Sequence, residues 1–180
     1  MSIEIRSGVG NGEVAAVHAN RLDVSSRSEQ RIFYESRDNG RAYTWVTTTS
    51  TLAAGDTAFL LKNTSHTRNF HVDTLIVGLV TASEVIVHRP ATVATPTGTA
   101  VPAVNLNGQS ANVADATGIK DETTNGLGDL ICKLRCAANN QVHVDMKGAL
   151  ILGPAQSIAV DVVTAQAGFD VTLVGYFLDQ

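Results

Sequence analysis

The chain has 180 residues, of which 44% are hydrophobic and 17% charged, with a net charge of −4 and a pI near 5.6. This length suits one domain able to bury a core, and an acidic balance without a concentrated basic face argues against a nucleic-acid or membrane-surface binder. Charge this sparse, against roughly 25% in an average domain, also points to a surface partly covered by neighbours, hence to an oligomer or assembly component.

In chain order, the N-terminus "MSIEIRSGVGNGE" lacks the apolar segment of a signal peptide, so synthesis in a reducing cytoplasm is expected. Strands are predicted at "IEIRS" and "AVHANRLDVSS", within a possible extended arm over residues 1–29. The alanine-rich "EVAAVHANRL" is compatible with a helix as well. Gly8, Gly10 and Gly12 do not complete GxGxxG, which fails at Glu13, and read as a flexible or tightly turning arm. Arg6, Arg21, Arg27, Arg31, Arg37 and Arg41 are balanced by six acids in the same segment, a pattern suited to protein rather than phosphate contacts. Arg6, Arg21, Arg27 and Arg31 are the interface candidates there.

Further strands are expected at "RIFYES", "AYTWVTTT", "DTAFLLKNT", "NFHVDTLIVGL" and "EVIVHRP", separated by the turn signals "RDNGR", "AAGD" and "NTSHTRN". The region 90–129 differs: it holds three of the four prolines, no aromatic residue and no strong periodicity. It reads as a long loop excursion, either a mobile surface segment or a reach over a neighbouring subunit, with Pro96, Pro102 and Asn107 as contact candidates. The chain closes with strands at "DLICKLRCA", "QVHVDMKGALIL", "QSIAVDVVT" and "FDVTLVGYFL". "GLGDLICKLRCAA" also has helical spacing, but the short turn "ANN" before the next segment favours a strand. No run of apolar residues approaches the ~20 needed for a bilayer-crossing helix. The whole pattern is that of an all-β, antiparallel β-sandwich of jelly-roll type.

Two segments repeat a His-x-Asp pair, "FHVDTLIVGL" and "VHVDMKGALILG". On a strand, residues two apart share a face, so His71 with Asp73 and His143 with Asp145 would each offer a metal two ligands, and neighbouring strands would complete a site for Zn or Fe. Cupin enzymes use HxH on a jelly roll, whereas this chain has HxD and no following glutamate. The plainer reading sets Gln141, His143, Asp145 and Lys147 outward and Val142, Val144 and Met146 inward. Cys132 and Cys136, four apart on a strand, lie beyond disulfide reach and read as small core residues. His18, His66 and His88 stand alone, no GxSxG elbow occurs, and "NTS" at Asn63 matches a glycosylation acceptor only by composition. Aromatic residues fall between Phe33 and Phe70 and again from Phe169 to Phe177, so the two ends are expected to share one core.

The closing "GALILGPAQSIAVDVVTAQAGFDVTLVGYFLD" resembles the last strands of viral jelly-roll modules: a "GP" turn, an "SIAV" strand and an aromatic pair at the end. The opening "AVHANRLDVSSRSEQRIFYESRDNGRAYTW" is similar to the N-terminal part of tailed-bacteriophage virion proteins, including capsid decoration (cement) proteins. The resemblance covers both ends but not residues 90–129. It implies a structural protein with no catalytic residue and no cofactor, a homo-oligomer, commonly a trimer, seated with the major capsid protein on the outside of the virion. The alternatives are a cupin-like metalloprotein using His71, Asp73, His143 and Asp145, and a glycan- or receptor-binding module of a tail fibre or baseplate.

Overall fold

Valine- and threonine-rich segments with a two-residue period of inward and outward side chains build an all-β protein. The computed structural model describes residues 5–6, 14–18, 21–23, 31–49, 51–90, 98–122 and 128–180. The chain divides into two units, Met1–Gln30 and Arg31–Gln180. In the first, β1 (Ile5–Arg6), β2 (Val14–His18) and β3 (Arg21–Asp23) form an antiparallel sheet in the order β1-β2-β3. The alanine-rich segment is therefore extended over its described residues.

The second unit runs α1 (Arg31–Arg37), β4 (Ala42–Thr49), β5 (Thr57–Asn63), β6 (Arg68–Leu79), β7 (Ser83–Arg89), β8 (Thr99–Val101), β9 (Ala103–Asn105), β10 (Ala116–Glu122), β11 (Asp129–Cys136), β12 (Asn140–Leu152), β13 (Ser157–Val162) and β14 (Phe169–Asp179). Two antiparallel sheets pack against each other as a β-sandwich: a six-stranded sheet in the order β11-β7-β13-β5-β10-β8, and a five-stranded sheet in the order β12-β6-β14-β4-β9. Strands β4 to β7 alternate between the sheets, and the late strands slot between them, β13 between β5 and β7 and β14 between β4 and β6.

That nesting explains the split aromatic pattern. β14 lies beside both β4 and β6, so Phe177 meets Phe70 at 5.0 Å and Tyr43 at 5.8 Å, while Trp45 sits edge-on to Phe70 at 5.4 Å. Phe59, Leu61, Val87, Ile158 and Val160 answer from the other sheet, and the space between the sheets is filled with apolar side chains.

Three sequence expectations need correction. "RIFYES" is not a strand but helix α1. Its strand-like alternation is outweighed by an Arg31–Glu35 pair one turn apart at 2.8 Å, by Ile32 and Glu35 buried on one face, and by a stop at Gly40. Gly40 has φ 58°, and its N–H reaches the Ser36 carbonyl at 3.2 Å, the left-handed cap that ends many helices. "DNG" thus closes a helix rather than turning a hairpin. The second correction concerns the 90–129 excursion, which carries β8, β9 and β10 and extends both sheets. The third lies in β11, where a register shift between Leu130 and Cys132 turns Leu130 outward, 55% exposed, and Ile131 toward the core.

Candidate functional site

The His-x-Asp segments lie on neighbouring strands, but the register keeps them apart. His143 is opposite Ile76 and Ile151 is opposite His71, five residues along β6, or about 17 Å at the rise of a strand. No two-His, two-carboxylate site forms from His71, Asp73, His143 and Asp145, and no group of three metal-type ligands occurs among the described residues. Each half has a different setting. The His71 ring stacks on Tyr176 at 5.2 Å with planes 6° apart, and its Nδ1–H donates to the Gly148 carbonyl at 3.0 Å. Gly148 has φ 74° and follows Lys147 at φ 49°; these residues form a bulge, and any side chain at 148 would collide with the Tyr176 hydroxyl. His143 and Asp145 stand exposed on β12, with Val142, Val144 and Met146 turned toward the core.

The interface candidates fall in several places. Arg6 and Arg21 lie on β1 and β3, while Arg27 and Pro96 lie outside the described residues. Arg31 pairs with Glu35 and covers the Tyr34 ring at 5.2 Å. Pro102 is the single residue between β8 and β9, where the chain passes from one sheet to the other. Lacking an N–H, it leaves no ladder donor unpaired at that corner. Asn107 belongs to an amide cluster that fastens the excursion to the end of α1. Asn105 donates to the Gly40 and Asn112 carbonyls at 3.0 Å each, Asn112 to Asn39 at 2.9 Å, and Asn107 to Arg37 at 3.3 Å. The Asn107 amide satisfies the Arg37 carbonyl that the helix end leaves open, and the Asn105 and Asn112 amides fix the turn that follows it.

Sequence reasoning missed one polar constellation. His88, Asp161 and Thr57 lie on β7, β13 and β5, on the face of the six-stranded sheet turned away from the aromatic core, and all three are at most 5% exposed. Leu60, Ala159 and Ile119 form a small apolar cluster on the same face. The Gly128 N–H donates to His88 Nδ1 at 3.4 Å, which leaves Nε2–H to donate to Asp161 Oδ2 at 2.6 Å. The Thr57 hydroxyl donates to Asp161 Oδ1 at 2.7 Å. Burial pushes the Asp161 carboxyl above its usual range, against the pull of the Thr57 and His88 hydrogen bonds. This has the base and orienting acid of a catalytic triad, but Thr57 is spent on the acid and does not reach the histidine, so the arrangement ties three strands together. Its sequence trace is a titratable residue in each of two apolar runs, "VIVHR" and "IAVDVV".

Two other features bear on binding. Lys62, Arg89, Asp129 and Ser157 line a cavity of ≈ 440 Å³ in which Asp129 offsets one of the two cations. Asn63, the nominal glycosylation position, is fully buried, with its amide donating to Arg68 and Leu152 carbonyls at 2.9 Å each. It is a structural plug between β5, β6 and β12. No protein-family model matches the chain, and no curated protein or solved structure is similar to it.

Proposed function

We propose that this chain is a structural virion protein, a capsid decoration protein that bridges subunits on the head of a tailed bacteriophage. The observation that carries the reading is the strand order. The orders β4-β14-β6-β12 and β5-β13-β7-β11 support a jelly-roll reading, an architecture used by viral capsid modules, lectins and cupins. Among those three, the filled interior favours the structural role. Cupins hold their metal between the sheets, where this chain packs Trp45, Phe70, Phe177 and Phe59, and its His and Asp pairs point outward. The apolar side chains Val46, Val104 and Leu106 stand exposed along β4 and β9, as a surface made for protein contact would present them. Self-association and the major capsid protein are the partners in this reading, the capsid exterior is the location, and no cofactor takes part.

Co-sedimentation tests it. Tagged chain incubated with purified tailed-phage heads from which accessory proteins have been stripped should pellet with them at a saturating stoichiometry and raise their resistance to heat or chelation. A chain that stays in the supernatant at every ratio rejects the proposal.

A further inference from the structure

β12 is the outermost strand of the five-stranded sheet and pairs only with β6 among the described residues, so one side of its backbone offers unpaired N–H and C=O groups. Folded proteins usually guard such an edge with charge, proline or a bulge. The adjoining edge strand, β11, is guarded: Lys133 and Arg135 are exposed, and a second β11 laid antiparallel would bring these cations together. The far half of β12 is guarded by the Lys147–Gly148 bulge. Residues 140–146 hold one charged side chain, Asp145, and no proline.

Their pattern is self-complementary. When a second copy is laid antiparallel with Val144 on a two-fold axis, His143 faces the partner's Asp145 and Asp145 faces the partner's His143. On the inner face Val142 then meets the partner's Met146. Opposed pairs of this kind stabilise a ladder, and like charges destabilise it. Moving the register by two residues one way sets Asp145 against itself and His143 against a lysine. Moving it the other way sets histidine against histidine. A shift of one turns the polar face inward. The His143 side chain makes no hydrogen bond among the described residues, and the Asp145 carboxylate holds only its near neighbour Lys147, with Nζ at 3.8 Å and N at 3.2 Å.

We propose that residues 142–146 of β12 pair antiparallel with the same segment of a second copy of this chain, about a two-fold axis at Val144. Two five-stranded sheets then become one continuous sheet. The half-buried Val142, Val144 and Met146, with Ile131 and Leu134 of β11 behind them, meet their counterparts instead of water. A two-fold contact closes at two copies, so it differs from the trimer contact that the family resemblance implies. It stands whether or not the chain belongs to a capsid.

Sedimentation equilibrium of the full chain over a dilution series should show a reversible monomer–dimer transition. Asp145→Lys, at an exposed position where circular dichroism should remain unchanged, removes the carboxylate from both His–Asp pairs and should weaken the dimer about tenfold. Single cysteines then read the axis. Val144→Cys should give a cross-linked dimer on a non-reducing gel after mild treatment with diamide, because opposed Cα atoms of an antiparallel pair lie about 4.5–5.5 Å apart. His143→Cys and Asp145→Cys should not. A parent chain that stays monomeric at every concentration overturns the proposal, as does a dimer that cross-links at 143 or 145 rather than at 144.

Discussion

The two edges of the sandwich end in opposite ways. On the β8/β9 side the chain itself closes the gap: β8 ends the six-stranded sheet, β9 ends the five-stranded sheet, and Pro102 alone joins them. Val101 is buried and Ala103 packs on the core beside Trp45. On the β11/β12 side the two strands are joined by the turn 137–139, and their inward side chains stay half-exposed. One edge is crossed by a single residue and clamped by amides, while the other, crossed by a three-residue turn, is a mouth lined with apolar groups. Closure therefore follows from how tightly the chain crosses between the sheets and what clamps the crossing, not from how hydrophobic the strands are.

Substitutions at the two edges should separate them. The largest effect belongs to Trp45→Ala at the sealed edge. Trp45 is fully buried, and its loss should cost about 3–5 kcal/mol. Urea denaturation followed by circular dichroism measures this, since the variant removes the only tryptophan; a cost under about 1 kcal/mol would mean that the sealed edge is not part of the core. Asn105→Ala removes that residue's two carbonyl contacts from the clamp and should cost about 1–2 kcal/mol, with hydrogen exchange rising at residues 103–112 before it rises elsewhere. Leu134→Ala at the open edge, already half-exposed, should cost only about 1 kcal/mol in the monomer. A loss equal to that of Trp45→Ala would erase the distinction between the edges.

The smallest effect is a slope and lies away from both edges. The folded chain holds the Asp161 proton to higher pH than the unfolded chain, whose ordinary value is 3.8. This group's contribution to stability is therefore complete below that value and is lost as pH rises through the raised folded one. Asp161→Asn should remove that falling segment without altering the contrast between Trp45→Ala and Leu134→Ala. Urea midpoints taken in pH steps check this, and a variant that keeps the same slope assigns it to another group.

Much of the sandwich was legible because long strands repeat one signal many times. β12 carries His143, Asp145 and Lys147 outward and Val142, Val144 and Met146 inward, as its alternation requires. The positions of Phe70 and Phe177 anticipated a shared core. β8 and β9, at three residues each, are too short to show a period; they exist because β10 and β4 offer them a ladder. α1 was hidden because Ile32 and Tyr34 alternate with Phe33 and Glu35 just as a strand would, and only its buried carboxylate and Gly40 mark it as helix. The His88–Asp161 pair was hidden for a different reason. The two residues are neighbours only across β7 and β13, and no local pattern records which strands become adjacent.

The Pro102 corner also imposes an order in time. β7 and β11 are neighbours, yet the chain between them leaves their side of the sandwich, lays β8, β9 and β10 along the opposite edge, and returns. Ile119 pairs with Leu60 and Ala103 with Trp45, so the excursion needs β5 and β4 as its ladder. Such distant pairings bear a loop-closure cost before they add any stability, which slows folding. For that interval β4 and β5 are bare edges. The margin that is sealed in the native protein is therefore open to intermolecular pairing while the chain folds.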